Sequence, residues 1–354
     1  MKRISLNNNL QPIFASQLII MMRKIFLLCV VTGICMGCKA QLTFDTSFFV
    51  RSSANLYSIV ISKNDSVIYK KYFNGKMQND LFNNQSLTKS VISILTGIAI
   101  DKGYIVYPDE KIADFFPTLK NDTDRRKRTI TIREIMNQAS GLWHEDLDSA
   151  DGIAKYLSLS DPSSYTLQQP LLSTPSTVFH YNNAATHLLS VILTKATKMS
   201  TLQFAEKYLF QPLHITAYNW MKMKDGYYDG CGLLSLYLRT EDMNKAGRLL
   251  LHKGSYDGKA IVSSKWIEAL EHPPLTYHTP WGIEHSLYAL CWYHASVQNY
   301  EVVYGLGWGG QFLIVVPALK AVISVNQNPE SATAVRQSVQ FLNNVLPLIL
   351  QCIK

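Results

Sequence analysis

Strand-like and helix-like patterns are segregated along this chain, and that segregation most constrains what it can fold into. Leu56–Ser62 and Ser66–Phe73 are rich in β-branched and aromatic residues and flank the turn formers Lys63-Asn-Asp65, which is a hairpin pattern. Far downstream, Leu287–His294, Tyr300–Tyr304, Gln311–Val316 and Lys320–Asn326 read as strands joined by short turns. Residues 86 to about 270 are mostly helical in pattern, broken by turn-rich stretches such as Ser160–Ser164. A closing helix is predicted from Ser331 to about Leu350, its apolar face including Val335, Val339, Leu342 and Val345. Strands at both ends with helices between them predict an α+β fold. One antiparallel sheet is completed by both chain ends (about 56–85 and 271–352) and flanked by helices, with a mainly helical lobe (about 86–270) inserted into it.

The composition is that of a globular body, 47% hydrophobic and 17% charged over 354 residues, enough for one large domain or two joined lobes. The formal charge of +8 includes Lys2, Arg3, Arg23 and Lys24, which lie in a segment read as removed; the body then carries +4. That gives no reason to expect a nucleic-acid partner. The basic run Arg125–Arg128, after Asn121–Asp124, reads as a solvated loop.

From Met22 a basic start, Arg23-Lys24, leads into a short apolar stretch, the pattern of a secretory signal and too short for a comfortable membrane span. Residues 1–37 are read as this signal segment, with Met21 or Met22 as its true start, and 42–352 as the folded domain. Two cleavage readings compete. Gly37-Cys38 resembles a bacterial lipobox, which leaves Cys38 as a lipidated first residue, although Cys35 stands where leucine is usual. Cys38-Lys-Ala40 before Gln41 instead suits ordinary signal peptidase. The lipobox reading is preferred, and either one exports the protein from a bacterial cytoplasm, with membrane contact expected only through the lipid anchor. Cys231, Cys291 and Cys352 lie outside this leader, an odd set without paired spacing. They argue against a disulfide framework or a cysteine metal site and read as free buried thiols.

The chemistry-bearing tetrapeptide is Ser86-Leu-Thr-Lys89, at the head of the apolar run Ser90–Ile100. On a helix, positions i and i+3 share a face, so a hydroxyl and an amine stand side by side. The run is apolar on nearly every face and therefore belongs in a core. A buried ammonium is desolvated, its pKa falls, and a neutral amine can take a proton from serine. An S-x-x-K arises by chance roughly once in a chain of this size, so the tetrapeptide decides nothing without partners.

Two further stretches supply candidates. In Phe179-His-Tyr181-Asn-Asn183, a tyrosine hydroxyl near the lysine could shuttle protons and an asparagine amide could fix a substrate carbonyl. The structural alternative is that Asn182 or Asn183 simply caps the apolar helix that follows. In Tyr304-Gly-Leu-Gly-Trp308-Gly-Gly310-Gln311, Gly305, Gly307 and Gly310 spell G-x-G-x-x-G. A dinucleotide fingerprint must open a helix, whereas this one leads into a β-branched run ending at Pro317, so that reading is rejected. Glycines entering a strand permit close approach of a ligand or another backbone, and the strand edge can offer an N–H to an oxyanion. Asp146 and Asp148, beside His144-Glu145, fit no standard metal-ligand spacing and read as an exposed acidic loop.

Taken in order, these stretches resemble the serine β-lactamase and penicillin-binding-protein-like hydrolases over nearly the whole mature chain. Ser86-Leu-Thr-Lys89 is similar to the S-x-T-K motif, and Asn83–Gly103 to its whole helix. Thr131–Leu142 is similar to "T-I-x-x-L-L-x-x-T-S-G-L", Tyr181-Asn182-Asn183 to Y-x-N, Asp229–Leu236 to "G-G-G-L-x-S/T", and Gly309-Gly310-Gln311 to the end of the third motif. Within the family the sequence most resembles the class C-like esterase and 6-aminohexanoate-dimer hydrolase branch. The resemblance implies Ser86 as acylated nucleophile, Lys89 as proton acceptor and Tyr181 as proton relay. It implies that Asn183 orients Lys89 or the substrate amide, and that the backbone N–H groups of Ser86 and Gln311 form the oxyanion hole. Trp308, Gly309 and Gly310 would border the substrate, with Trp143 nearby. No metal or organic cofactor is implied.

One departure matters. Where the family carries Lys or His at the head of its third motif, this chain has Trp308, whose indole offers a single neutral donor and cannot hold a substrate carboxylate. Weak or absent β-lactamase and D,D-carboxypeptidase activity is therefore expected, with esters, small amides or peptides as substrates. The alternatives are a true β-lactamase or carboxypeptidase, and a non-catalytic relative that binds cell-wall peptide or a partner.

Overall fold

A computed structural model describes residues 53–147 and 149–354. The leader reading, with Cys38, lies outside these residues, as does Asp148. The described chain opens with the expected hairpin, β1 (Leu56–Lys63) and β2 (Ser66–Tyr72). Its two-residue turn places Asn64 and Asp65 at φ +47° and +63°, the left-handed conformation that asparagine and aspartate tolerate and that matches strand twist.

The inserted region begins with the short β3 (Phe82–Asn83), a 3-10 turn (Gln85–Leu87) and α1 (Thr88–Asp101). It continues through α2 (Ile132–Met136), α3 (Ala150–Ser158), α4 (Pro162–Gln168), α5 (Asn183–Thr197) and α6 (Thr201–Ala205). Then come β4 (Tyr218–Trp220), β5 (Leu236–Leu238), α7 (Thr240–Leu251), the small hairpin β6 (Ser255–Tyr256) and β7 (Lys259–Ala260), and α8 (Ser264–Glu271). β3, β5 and β4 form a small antiparallel sheet in that order. Strands of two or three residues carry too little alternation to be read from sequence.

The chain returns as β8 (Tyr277–His278), β9 (Leu287–Ala289), β10 (Trp292–Val297), β11 (Tyr300–Gly307), β12 (Gln311–Val316) and β13 (Ala321–Gln327). These join the first hairpin in an eight-stranded sheet of order β2-β1-β13-β12-β11-β10-β9-β8, antiparallel throughout. The two ends of the chain thus meet within one sheet, where β1 pairs with β13, as the segregation of patterns predicted. Every residue of β12 and β13 is buried, because helices cover both faces. Alternate side chains part accordingly. Leu313 meets α7 at Gly247, while Phe312 stacks on Phe341 of the closing helix at 5.0 Å.

Four sequence readings need correction. The run Leu287–His294 is two strands, broken by a tight turn at Leu290 and Cys291 with φ +50° and +66°. The closing helix consists of α9 (Ala334–Gln340), a π turn (Phe341–Val345) and α10 (Leu346–Cys352). Val335 and Val339 are exposed, while Leu342 and Val345 are buried as expected. The π turn takes an extra residue per turn and shifts the buried face, so the buried stripe runs from Ala334 and Gln337 to Phe341, Val345 and Ile349. In the basic run Arg125–Arg128, Lys127 is buried, donating to Asp122 at 3.1 Å and to the Leu167 carbonyl at 2.8 Å. Finally, Cys231 and Cys291 are free and buried, but Cys352 is exposed.

Candidate active site

The helix that follows Ser86 is buried from Thr88 to Ala99, as its apolar run requires. Ser86 sits in the 3-10 turn just before it, and the approach of its surroundings is set by glycine. A Cβ on Gly307 would lie 2.3 Å from the Asn84 carbonyl oxygen, and one on Gly305 would lie 2.2 Å from the Leu87 side chain. On the other side Gly232, at φ +90°, would put a Cβ 2.2 Å from the Gln85 carbonyl oxygen and 2.8 Å from the Ser86 Cα. β11 and the 229–235 turn therefore clasp the serine backbone at distances only glycine permits.

Lys89 lies one turn further on, with 1% of its surface exposed. Its Nζ donates to Ser86 Oγ (3.1 Å), to Asn183 Oδ1 (2.6 Å) and to the Cys231 carbonyl. It also stands 4.6 Å from the Tyr181 ring centroid. Burial pushes the Lys89 pKa down from its usual 10.5, with nearby negative charge opposing the shift. Burial raises the Cys231 thiol well above its usual range and the Cys291 thiol to about 12. Both stay neutral near pH 7, so the carboxyl groups facing Lys89 are Asp229 and Glu145, the latter raised above its usual 4.5 by burial, against the pull of its hydrogen bonds and of Lys89. Burial also raises the Tyr181 phenol, while its contact with Ser86 pulls the other way.

Tyr181, Asn182 and Asn183 are held by the segment that resembles "T-I-x-x-L-L-x-x-T-S-G-L". The backbone N–H of Asn182 donates to Gln138 Oε1 (2.6 Å), and that of His180 to the Gln138 carbonyl (2.8 Å). Asn182 Nδ2 reaches the carbonyls of Leu142 (2.9 Å) and Trp143 (3.1 Å). Its Oδ1 accepts from the Ala185 N–H at 2.6 Å, the N-cap bond. The capping reading holds for Asn182, whereas Asn183 turns its Oδ1 to Lys89 and spends its Nδ2 on Glu145 rather than leaving it for a substrate carbonyl.

Two carboxylates complete the site that sequence reading missed. Asp229 is fully buried and accepts from the backbone N–H groups of Cys231 (2.7 Å), Gly232 (3.0 Å), Leu234 (2.7 Å) and Ser235 (2.7 Å). Burial works to raise its pKa, but His187 and these donors override it and hold the group below 3.8. The folded turn presents the Cys231 carbonyl to Lys89. Glu145 is also fully buried, with Oε1 accepting from Asn183 Nδ2 (2.6 Å) and Oε2 from the Ala184 N–H (3.2 Å). The expected exposed acidic loop is thus corrected at Glu145, although Asp146 is exposed. Among the described residues, no group of three His, Cys, Asp or Glu side chains is arranged to hold a metal.

The remaining candidates are placed more peripherally. In the β11–β12 pair Gly307 stands opposite Gln311, which brings the start of β12 to the turn carrying Ser86. The Gln311 side chain is buried and bonds Trp308, Asn326 and Gln327. Gly309 and Gly310 take φ +76° and +91° in the turn between the strands. The Trp308 indole is 56% exposed, its Nε1 donating to the Pro329 carbonyl at 3.1 Å. Trp143 packs on Tyr165 and Tyr156 at 5.0 and 6.1 Å between ring centroids. The tryptophan against Tyr181 is instead Trp281, 41% exposed, edge-on at 5.3 Å, with Nε1 donating to the Tyr293 hydroxyl (3.0 Å). No local pattern marked it, since it lies in a loop. A separate cleft of about 560 Å³, whose lining includes Phe116, Lys195, Asp225 and Tyr227, contains none of these residues.

Comparison with known proteins identifies the family and the fold. The model of the family described as Beta-lactamase matches residues 57–340. Protein flp of Staphylococcus aureus (strain N315) is 28% identical over 168 residues, 45% of this chain and 33% of its own length. The alignment thus spans about a third of that curated relative. Among solved structures, a Bacillus anthracis protein described as a candidate 6-aminohexanoate-dimer hydrolase superposes with TM-score 0.69 at 18% identity, covering 87% of this chain and 82% of that one. A D-stereospecific amidohydrolase from Streptomyces sp. gives 0.66 at 14% identity, covering 87% and 99%. The chain belongs to the Beta-lactamase family and has the fold of the serine β-lactamase and penicillin-binding-protein-like hydrolases.

Proposed function

We propose that the protein is an exported serine hydrolase that cleaves esters or small amides through an acyl-enzyme on Ser86. The observation that carries this reading is the hydrogen bonding of Lys89. Two of its three partners, Asn183 Oδ1 and the Cys231 carbonyl, can only accept. A neutral amine has two N–H bonds, and these two acceptors use both. Its lone pair is then left facing the third partner, Ser86 Oγ, from which it can take a proton.

Ser86 Oγ would attack the substrate carbonyl carbon as its proton passes to Lys89. The oxyanion would meet the backbone N–H groups of Ser86 and Gln311. Collapse expels the alcohol or amine, which takes a proton relayed by Tyr181. Water then repeats the attack on the acyl-enzyme, returning the acid and free Ser86. Trp281 beside Tyr181 suits an apolar or aromatic group on the substrate. Export rests on the leader sequence, with Cys38 as the proposed lipidation point.

Hydrolysis of p-nitrophenyl esters by the purified protein, lost in Ser86→Ala, is the expected result. An inactive but folded wild type would sink the reading. Nitrocefin turnover should be slow or absent, because Trp308 offers no cation; rapid turnover lost in Ser86→Ala would point to a true β-lactamase. The exposed Trp308 also motivates the competing reading of a non-catalytic binder, which turnover abolished by Lys89→Ala eliminates.

A further inference from the structure

Glu145 makes no hydrogen bond to Ser86 or Lys89, yet it sits directly behind Asn183, the side chain that accepts from Lys89. Asn183 has an amide with two unlike ends. A carboxylate can only accept, so the end turned to Glu145 Oε1 at 2.6 Å must be Nδ2. That leaves Oδ1, and not a second donor, toward Lys89 at 2.6 Å. The carboxyl group is itself fixed by the Ala184 N–H at the first turn of α5, where the helix dipole favours negative charge; burial pushes its pKa up, and the Asn183 and Ala184 hydrogen bonds and Lys89 oppose that rise.

We infer that Glu145 is the positioning residue that sets the polarity of the Lys89–Ser86 relay, by holding the Asn183 amide so that it accepts from the lysine. This inference rests on the acyl-enzyme reading above. With the amide reversed, Nδ2 would face Lys89 and compete as a donor. A neutral amine would then turn its lone pair to Asn183, away from Ser86, and an ammonium would lose an acceptor. Glu145 thus acts through Asn183 and is not itself a catalytic residue.

The charge has a second, separable effect. The charged and titratable groups around Lys89 are Tyr181 just before α5, Asp229 and Cys231 on the 229–235 turn, Cys291 at the β9–β10 turn, and Glu145; Ser86 and Asn183 face it as neutral hydrogen-bond partners. Tyr156 on α3 also faces Glu145 and stays neutral, its phenol raised by burial. Removing the Glu145 charge leaves Asp229 as the main counter-charge, so Lys89 gives up its proton more readily.

The test uses the full-length protein and p-nitrophenyl acetate, with circular dichroism to confirm folding. Glu145→Gln puts an amide where two donors need acceptors, so it cannot satisfy both. We expect kcat/KM to fall by about 10²-fold, the scale of a small misplacement of reacting groups, with KM little changed. The acid limb of the kcat/KM profile should move to lower pH. Glu145→Asp keeps the charge but shortens the reach; it should lose rate while leaving the acid limb in place. A folded Glu145→Gln with wild-type rate and profile overturns the inference, as does a rate loss with an unmoved acid limb. If Glu145→Gln does not fold, Glu145→Asp decides, and wild-type kcat/KM in that variant overturns it. An active wild type dependent on Ser86 separates these failures from failure of the acyl-enzyme reading.

Discussion

Lys89 owes its usefulness to what surrounds it more than to the helix that carries it. A lysine at 1% exposure would ordinarily be costly, and it is tolerated because three acceptors meet its three possible protons. Burial lowers its pKa, so the fraction in the basic form rises with pH through a value below 10.5, and kcat/KM should rise with it. Lys89→Met is expected to remove about 10²–10⁴-fold of the rate, together with that acid limb, in pH-dependent ester hydrolysis. Asp229 makes a different contribution. Its folded-state pKa lies below the usual 3.8, so the stability it supplies is present above the unfolded value and lost as pH falls through the folded one. Asp229→Asn should cost on the order of 3 kcal/mol at neutral pH, and its urea midpoint should fall less on acidification than that of the wild type. Ser86, Lys89 and Tyr181 were legible in sequence because a motif order carried them. Glu145 and Asp229 were not, since a charged residue in a turn-rich stretch reads as exposed until the chain closes over it.

Among the elements, β11 and α1 show how backbone proximity builds the site. Gly307 admits the Asn84 carbonyl where a Cβ would stand at 2.3 Å. Gly307→Ala is expected to displace the turn carrying Ser86, lowering ester turnover by about 10²-fold while the far-UV spectrum stays native. Unchanged turnover would show that this contact does not position the nucleophile. The glycines were visible in sequence, and so was the strand they enter, but not which backbone approaches them. The closing helix was legible in extent and misread in face, because a π turn at Phe341–Val345 leaves no local signature. The single run Leu287–His294 hid a turn at Leu290-Cys291 for a related reason: both turn residues are apolar and buried, and tertiary packing imposes a turn that their residue types do not signal. That turn matters to the site, since the Cys291 carbonyl accepts from Ser90 on α1 at 2.9 Å.

At the scale of the molecule, the fold class was legible because strand patterns lie at opposite ends and can pair only with each other in one sheet. β1, β12 and β13 are almost wholly buried, whereas β2 is a partly exposed edge carrying Lys70 and Lys71, charges that discourage pairing with another chain. Amide hydrogen exchange should be slowest in β1, β12, β13 and α1 and much faster in β2; equal protection in β2 would contradict this assignment of the core. The leader predicts an exported product, and metabolic labelling with palmitate that disappears in Cys38→Ala is the expected outcome for the lipobox reading. Unlabelled, processed protein starting at Gln41 would favour ordinary signal peptidase instead.

The central claim is that a nucleophilic Ser86 forms a covalent acyl-type intermediate with Lys89 as its base. Intact-mass spectrometry after exposure to a fluorophosphonate, followed by peptide mapping, tests it most directly. The account predicts a single adduct on the peptide containing Ser86, absent in Ser86→Ala and formed much more slowly in Lys89→Met. Folded wild-type protein that gains no adduct, or gains it on another serine, would contradict it.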